Sequence, residues 1–510
     1  MKIFLKKLLP DFILYWYHWK LALLGALVYG FPSRKLKVIG VTGTKGKSTV
    51  VVLAGRVLQK RITPSQSPPY QGGEEILNFS QPPLTKGGEI QNPPQPSFTK
   101  GGSKVGWISS LTINDGKNEV MNPHHMTMPG RFFIQKTLRQ MVKNGCEYAL
   151  VEVTSEGVKQ FRHKFIDWTG AVFTNLAAEH LEAHGGFAKY RLAKEQLFAA
   201  AAKNKNGFGV YNLDDKNVGE FLKYSINKKY GYCFSNPSQP PLNLRGGEIS
   251  PLKLRGGEGE LFRLQISNVK LDAMGSEFEI NNVQFKTNLL GEFNVYNCAA
   301  AAAIGMACGV GLETASQVLA EIQSIPGRLE IINEGQDFTV VVDLAHTPDS
   351  FEKVFRLFGD LKNQQPTPSS TEEERKKSKI ISVFGSAGGG RDKWKRPELG
   401  GIASENSDII IITNEDPYDE NPQTIADEIA AGCKTLSQSS PSEGGEKAGV
   451  EIILDRRAAI ASALSLAQKD DIVLILGKGT EQTMVMGGKK HDWDDRIVVR
   501  EEIKKLRSSL

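Results

Sequence analysis

Val38–Val50, VIGVTGTKGKSTV, decides how this chain is read. Val38, Ile39 and Val41 have the look of a short buried strand. Gly43-Thr44-Lys45-Gly46-Lys47-Ser48-Thr49 forms a turn, and Val50 to Leu58 reads as a helix. Strand, glycine-rich turn and helix together make a phosphate-binding loop. The glycines let backbone N–H groups converge on phosphate oxygens, and the helix N-terminus adds partial positive charge. Lys47 reaches the outer phosphates, and Ser48 or Thr49 can hold Mg²⁺. The loop has two residues fewer between its glycines than the common GxxxxGK[ST] pattern.

The 510 residues imply two to four domains. With 40% hydrophobic and 24% charged residues, the composition is that of an ordinary globular protein. A net charge of +6 is modest for this length and gives no reason to expect nucleic-acid binding. Cys146, Cys233, Cys298, Cys308 and Cys433 are scattered without a CxxC pair, so neither a disulfide framework nor a zinc site is expected. A reducing, cytoplasmic setting fits them.

Residues 1–36 form an apolar, aromatic segment. Lys2, Lys6 and Lys7 precede Tyr15, Trp16, Tyr17 and Trp19, and LALLGALVYG follows from Leu21. The apolar run falls short of a membrane span. Two readings stay open: a helix lying in a membrane interface, or one packed on the next domain. Farther on, 62–104 and 236–259 are rich in Pro, Gly, Gln and Ser. They carry a degenerate repeat, as in QPPLTKGGE at Gln81 and QPPLNLRGGE at Gln239, with a faint copy, SPSEGGE, at Ser440. We read these two stretches as disordered insertions, and 363–378 and 436–448 as low-complexity loops.

Glu147–Val153 and Thr169–Leu176 read as buried strands, the first carrying Glu152 and the second leading to His180. In an open α/β sheet, ligands collect beyond the carboxyl ends of strands. Ser48, Glu152 and His180 can thus meet there as ligands of Mg²⁺, although Glu152 or His180 alone reads as a solvated strand end. Phe187–Lys203 reads as a helix on which Lys194 is an exposed lysine by pattern. An alanine-rich helix, Cys298–Cys308, follows Asn294 and Asn297, either of which could cap it or meet a base edge. Beyond Ile325, strands at Thr339–Leu344, Ile380–Phe384, Ile409–Thr413, Val450–Leu454 and Ile472–Leu476 alternate with helices, which predicts a doubly wound parallel sheet. GSAGGGRDK lacks the GxGxxG register of a dinucleotide loop.

VTGTKGKST, VEVTSEG, TNLAAEHLEAHG, YRLAKEQLF, LLGEFNVYNCAAA, PGRLE, VVVDLAHTPDS, VFGSAGGGRDKWKRP and LILGKGTEQ occur in this order. Together they resemble the Mur ligase family, and most of all its MurE-like members, which add the third peptide residue to a UDP-N-acetylmuramoyl-dipeptide. The resemblance runs from Lys37 to the C-terminus, insertions aside. It implies an α/β fold with a central ATP-binding domain (37–325, P-loop type, mostly parallel sheet) and a C-terminal Rossmann-like ligase domain (326–510). It also implies ATP-dependent amide ligation through an acyl phosphate in peptidoglycan precursor synthesis, with ATP and Mg²⁺ as cofactors.

Carried over residue by residue, Gly43, Thr44, Lys45, Gly46, Lys47, Ser48 and Thr49 would bind the ATP phosphates. Asn297 would meet adenine, and Arg328 and Asp343 would reach ATP. Ser48 and Glu152 would hold one metal ion. His180 and Lys194, the latter as a carboxylated lysine, would serve a second. Thr127, Thr154, Gln160 and Arg162 match positions that hold the UDP-sugar peptide. Arg391, Glu415, Asp416, Tyr418, Gly477 and Glu481 match positions that select the incoming amino acid. Two departures stand out. The family's amino-terminal uridine-gripping domain has only 1–36 in its place. Tyr418 stands where diaminopimelate-adding members carry the Arg of a DNPR motif, so preference for diaminopimelate is expected to weaken. The alternatives are a folylpolyglutamate- or cyanophycin-type ligase, and a membrane-associated ATP-binding scaffold that has lost ligation.

Overall fold

The structure, a computed structural model, describes residues 11–60, 105–124, 126–177, 185–234, 252–253, 260–272, 275–364, 378–390, 392–436 and 449–508. His180, Arg391, the stretch 62–104, nearly all of 236–259 and most of the two low-complexity loops therefore lie outside the described residues. The chain divides into two compact units, the first reaching Glu321 and the second holding Ile322–Leu510. Parts of 270–292 are shared between them.

The first unit opens with α1 (Asp11–Val28) and the strand β1 (Lys37–Thr42), which leads through the glycine-rich turn into α2 (Lys47–Lys60). The helix starts earlier than the valine run suggests, because Lys47 and Ser48 already take helical geometry. Then come β2 (Val105–Ile108), β3 (Thr112–Asn114), β4 (Glu119–Met121), α3 (Arg131–Lys143), β5 (Tyr148–Glu152), α4 (Ser155–Lys159), β6 (Trp168–Phe173) and α5 (Phe187–Ala201). Next are β7 (Phe208–Asn212), α6 (Val218–Leu222), β8 (Lys228–Phe234), β9 (Leu252–Lys253), β10 (Glu260–Asp272), β11 (Gly275–Ile280), β12 (Val283–Thr287), α7 (Glu292–Ala307) and α8 (Leu312–Glu321).

The strands form one twelve-stranded sheet in the order β12-β11-β10-β8-β7-β6-β1-β5-β2-β3-β4, with β9 beside β10. β1 lies parallel between β5 and β6, pairing Val41 with Glu152 on one side and Thr42 with Phe173 on the other. β5 and β6 are almost wholly buried, as their unbroken apolar runs require. Leu252–Lys253, inside a stretch read as an insertion, pairs antiparallel with β10.

The second unit comprises β13 (Glu330–Ile332), β14 (Thr339–Asp343), α9 (Pro348–Gln364), β15 (Ile380–Phe384), α10 (Lys395–Asn406), β16 (Ile409–Ile412), α11 (Pro422–Leu436) and β17 (Gly449–Ile452). It continues with α12 (Arg456–Leu466), β18 (Ile472–Leu476), the hairpin β19 (Thr483–Met486) and β20 (Lys489–Asp492), and α13 (Asp495–Ser508). The sheet order is β13-β14-β18-β15-β16-β17, parallel except for β13. Alternate residues face opposite sides. Val341, Phe384, Ile410 and Leu474 pack under α9, α10 and α11, while Val340, Val383, Ile411 and Val473 pack under α12 and α13. This is the expected doubly wound arrangement.

α10 and α11 approach closely through two glycines. A Cβ on Gly432 would run into the Pro397 carbonyl, and one on Gly400 into that of Ile429. Gly432→Ala is therefore expected to destabilise this unit by about 2 kcal/mol through overpacking, measured as a shift in the denaturant midpoint.

Candidate active site

The loop after β1 is held rigidly by the end of β6. Thr174 Oγ1 donates to the Lys45 carbonyl at 2.7 Å, Asn175 Nδ2 donates to the same oxygen at 3.1 Å, and Asn175 Oδ1 accepts from Lys45 N at 2.8 Å. Gly43 passes so near Thr174 Oγ1 that no side chain fits there. Gly46, at φ +80°, lies against Asn297, leaving no room for a Cβ. Lys47 Nζ donates to the Thr44 carbonyl at 2.8 Å, so it curls back over its own loop.

The carboxyl end of β5 meets this loop. Ser48 Oγ donates to Glu152 Oε2 at 2.8 Å, and the same oxygen accepts from Ser110 N at 2.8 Å. Ser48 and Ser110 hydroxyls are 2.6 Å apart. Ser110 escaped the sequence reading. It follows β2, the parallel neighbour of β5, so the strand-end rule that pointed to Glu152 could have found it. Two hydroxyls and a buried carboxylate form a hard-oxygen set that suits Mg²⁺.

Lys194 is buried rather than exposed, contrary to its helical pattern. Its Nζ donates to the Gly43 carbonyl at 2.5 Å and sits 4.5 Å from the Tyr190 ring centroid. The Tyr190 hydroxyl lies 3.2 Å from Thr44 Oγ1, so α5 grips the loop from a second side. Asn294 and Asn297 lie within α7 and do not cap it; Asn297 Nδ2 donates to Asn294 Oδ1 at 2.9 Å. The structure thus gathers the loop, Glu152, Lys194 and Asn297 in one place.

A second cluster lies around α4. Thr154 caps that helix, accepting from Gly157 N at 3.0 Å. Arg162 Nη2 donates to Gln160 Oε1 at 2.7 Å, and its other amino group reaches the Met128 carbonyl beside half-buried Thr127. Arg131, which no sequence signal marked, donates through Nε to the Gln160 carbonyl at 2.9 Å. Burial lowers the pKa of both arginines, and Arg162 lowers that of Arg131 further. Two half-buried guanidiniums bonded to carbonyls and an amide suit an anionic ligand.

In the second unit, buried Lys478 bridges Asp416 Oδ1 at 3.1 Å and Glu481 Oε2 at 2.9 Å. Gly477, at φ +110°, leaves its Cβ side to Glu415 Oε2, a buried oxygen with no hydrogen-bond partner among the described residues. Burial raises the pKa of Glu415. Tyr418, at φ +54°, is held by Val485 and Gly487 through its backbone. Asp343 accepts from Leu329 N at 2.8 Å and Ala345 N at 2.7 Å, while burial raises its pKa against the pull of half-buried Arg328.

Comparison with known proteins fits this geometry. The family model described as Mur ligase middle domain matches residues 99–305, and the one described as Mur ligase, glutamate ligase domain matches 327–479. A UDP-N-acetylmuramyl-tripeptide synthetase of Borreliella afzelii is 33% identical over 94% of this chain and 79% of its own length. The chain belongs to the Mur ligase family. A UDP-N-acetylmuramoyl-L-alanyl-D-glutamate–2,6-diaminopimelate ligase of Clostridium acetobutylicum is 30% identical, with 95% of this chain and 82% of that relative covered. The fold also resembles a Mycobacterium tuberculosis folylpolyglutamate synthase, at TM-score 0.59 and 13% identity, with 96% and 94% of the two chains covered. As a Mur ligase the chain is an ATP-dependent carbon–nitrogen ligase.

His163 follows Arg162 and is buried, with neither ring nitrogen hydrogen-bonded among the described residues. Burial, then Lys164, pushes its pKa from 6.5 down to about 3. Between those values only the unfolded chain takes up the proton, so this contribution is complete above pH 6.5 and is lost as pH falls. His163→Leu should flatten the acid side of the stability–pH curve by up to about 1.4 kcal/mol per pH unit, measured by urea unfolding between pH 4 and 7.

Proposed function

We propose that this Mur ligase joins an amino acid to the peptide carboxylate of a UDP-N-acetylmuramoyl-dipeptide in peptidoglycan precursor synthesis. The observation that carries the reading is the junction of Ser48, Ser110 and Glu152 at the mouth of a phosphate loop that Lys194 also touches. ATP enters as substrate. Backbone N–H groups of Gly43–Thr49 hold its phosphates, Lys47 turns from the Thr44 carbonyl to the outer phosphates, and Asn297 meets the adenine. By the family resemblance, Arg328 and Asp343 would also serve ATP. Ser48, Ser110 and Glu152 are the residues that would hold Mg²⁺, with His180 and Lys194 serving a second ion. Bound Mg²⁺ supplies charge neutralisation between two anionic reactants.

The acceptor carboxylate oxygen attacks the terminal phosphorus as the bond to ADP breaks. The incoming amine then attacks the acyl carbon, loses a proton and expels phosphate, leaving an amide. Thr127, Thr154, Gln160 and Arg162, with Arg131 added, hold the anionic acceptor. Arg391, Glu415, Asp416, Tyr418, Gly477 and Glu481 select the amino acid. In this reading the enzyme works in the cytoplasm, and residues 1–36 give it a peripheral membrane contact.

Phosphate release that requires both a UDP-muramoyl-dipeptide and an amino acid tests the reading, and release independent of either would sink it. Lys47→Ala should lower that release by about a thousandfold or more. Lys194→Ala should lose most activity and regain part of it with added short carboxylates, which stand in for a carboxylated lysine. Tyr418 cannot form the two-pronged carboxylate pair of a guanidinium. Across diaminopimelate, lysine and ornithine we therefore expect a weakened preference for diaminopimelate; clear selectivity for it would refute this account of Tyr418.

A further inference from the structure

α1 is largely apolar, with Asp11, His18 and Lys20 as its polar residues. One side packs on α3, where Ala22 and Ala26 are buried and Gly25 lies against the Arg131 and Phe132 backbone. Tyr15 meets Phe161 edge-on at 4.7 Å and Trp19 meets Phe165 at 5.3 Å. The other side exposes Phe12, Trp16, Leu24, Leu27 and Val28, each at 48% or more. These residues recur at helical spacing around Lys20, which is also exposed. A globular helix puts mainly polar residues outward; here Lys20 stands alone among apolar ones, so the outer face calls for a cover.

Charge indicates which cover. Residues 1–37 hold seven basic residues against the single acid Asp11, a net +6 that equals the net charge of the whole chain. The remaining residues balance to zero. Among the described residues Arg34 and Lys37 lie beside Asp167 and Glu147; the other basic residues in this stretch of sequence are Lys2, Lys6, Lys7, Lys20 and Lys35. No helix among the described residues is long and apolar enough to cross a membrane. An exposed apolar face that carries Trp16 and Tyr17, flanked by lysines, suits a helix lying flat in a negatively charged interface, where Lys20 extends its charged end to the headgroups.

We infer that the outward face of α1 docks on an anionic lipid surface. This rests on the peripheral contact proposed above and adds its lipid chemistry and its residues; it stands apart from the ligase chemistry. The full chain should pellet with phosphatidylcholine vesicles containing phosphatidylglycerol, release as salt rises, and have its tryptophan emission quenched by brominated acyl chains. Trp16→Ser with Leu24→Ser and Leu27→Ser should abolish pelleting and quenching while sparing amino-acid-dependent phosphate release. Lys2→Gln with Lys6→Gln and Lys7→Gln, which leaves the apolar face intact, should weaken binding by about a hundredfold, at about fivefold per lysine. Equal binding to pure phosphatidylcholine would overturn the anionic preference and leave the peripheral contact standing. Absence of binding to either vesicle would overturn both. So would a dimer in light scattering that the serine variant returns to monomer, or vesicle binding that appears only after residues 1–10 are removed.

Discussion

Glu152 Oε2 accepts hydrogen bonds from Ser48 Oγ and Ser110 N, and through this one oxygen three strand ends become a site. The geometry follows from parallel pairing. Val41 of β1 sits opposite Glu152, so the loop that follows β1 emerges beside the carboxylate that closes β5. On the other flank, Thr174 and Asn175 fasten the Lys45 carbonyl, and Thr174 crowds Gly43 too closely for any side chain. The loop is therefore fixed from both neighbouring strands before any ligand arrives. A phosphate site set in advance spends little of its binding energy on ordering, and its donors are already aimed where charge develops.

The second unit uses a different constraint. Three of its buried cations are met by acids: Arg456 by Asp495 at 2.6 Å, Arg396 by Glu428 at 2.6 Å and Glu420 at 3.0 Å, Lys478 by Asp416 and Glu481; a fourth, Lys395, donates to the His346 carbonyl at 2.9 Å. Such pairs add little net stability, but removing one partner costs about 3–5 kcal/mol, so each holds its neighbours in place. Arg456 also donates to the carbonyls of Asn414 and Leu476, tying together the residues that carry Glu415 and Gly477. Against these pairs stands Glu415 Oε2, buried with no hydrogen-bond partner among the described residues. A buried acceptor left without a donor costs about 1–3 kcal/mol, and an incoming ammonium group would relieve it.

Most strands were legible because a parallel strand covered on both faces must be apolar along its length, and few other segments are. The site was legible where chemistry sits at the end of such a strand, as at Ser48 and Glu152. Ser110 obeys the same rule but follows a short strand just beyond a compositionally biased stretch, where the pattern is hardest to see. Lys194 was misjudged because periodicity reports only which side of a helix is apolar. α5 buries its lysine against the loop of a distant strand, a relation that helical spacing does not encode. Arg131 is the first residue of an ordinary surface helix, and only the fold places it beside Arg162. For α1, uniform apolarity left two outcomes open. The structure shows one side packed on α3, while the other is exposed among the described residues, so packing accounts for one side of the helix.

Lys194 brings the constraints together. As an amine its Nζ donates to the Gly43 carbonyl from a buried position over the Tyr190 ring. Carboxylation of the ammonium form by CO₂ would form an N–C bond and release two protons, and it would leave one N–H on the nitrogen. That N–H can keep the Gly43 hydrogen bond while the new carboxylate extends away from it. In the proposed reading the modification would keep the Gly43 hydrogen bond while exchanging a cation for a metal-seeking anion at the phosphate loop. A glutamate at this position would bring a carboxylate but no donor for Gly43. The contact that makes Lys194 appear structural is therefore also the reason a lysine suits the chemistry.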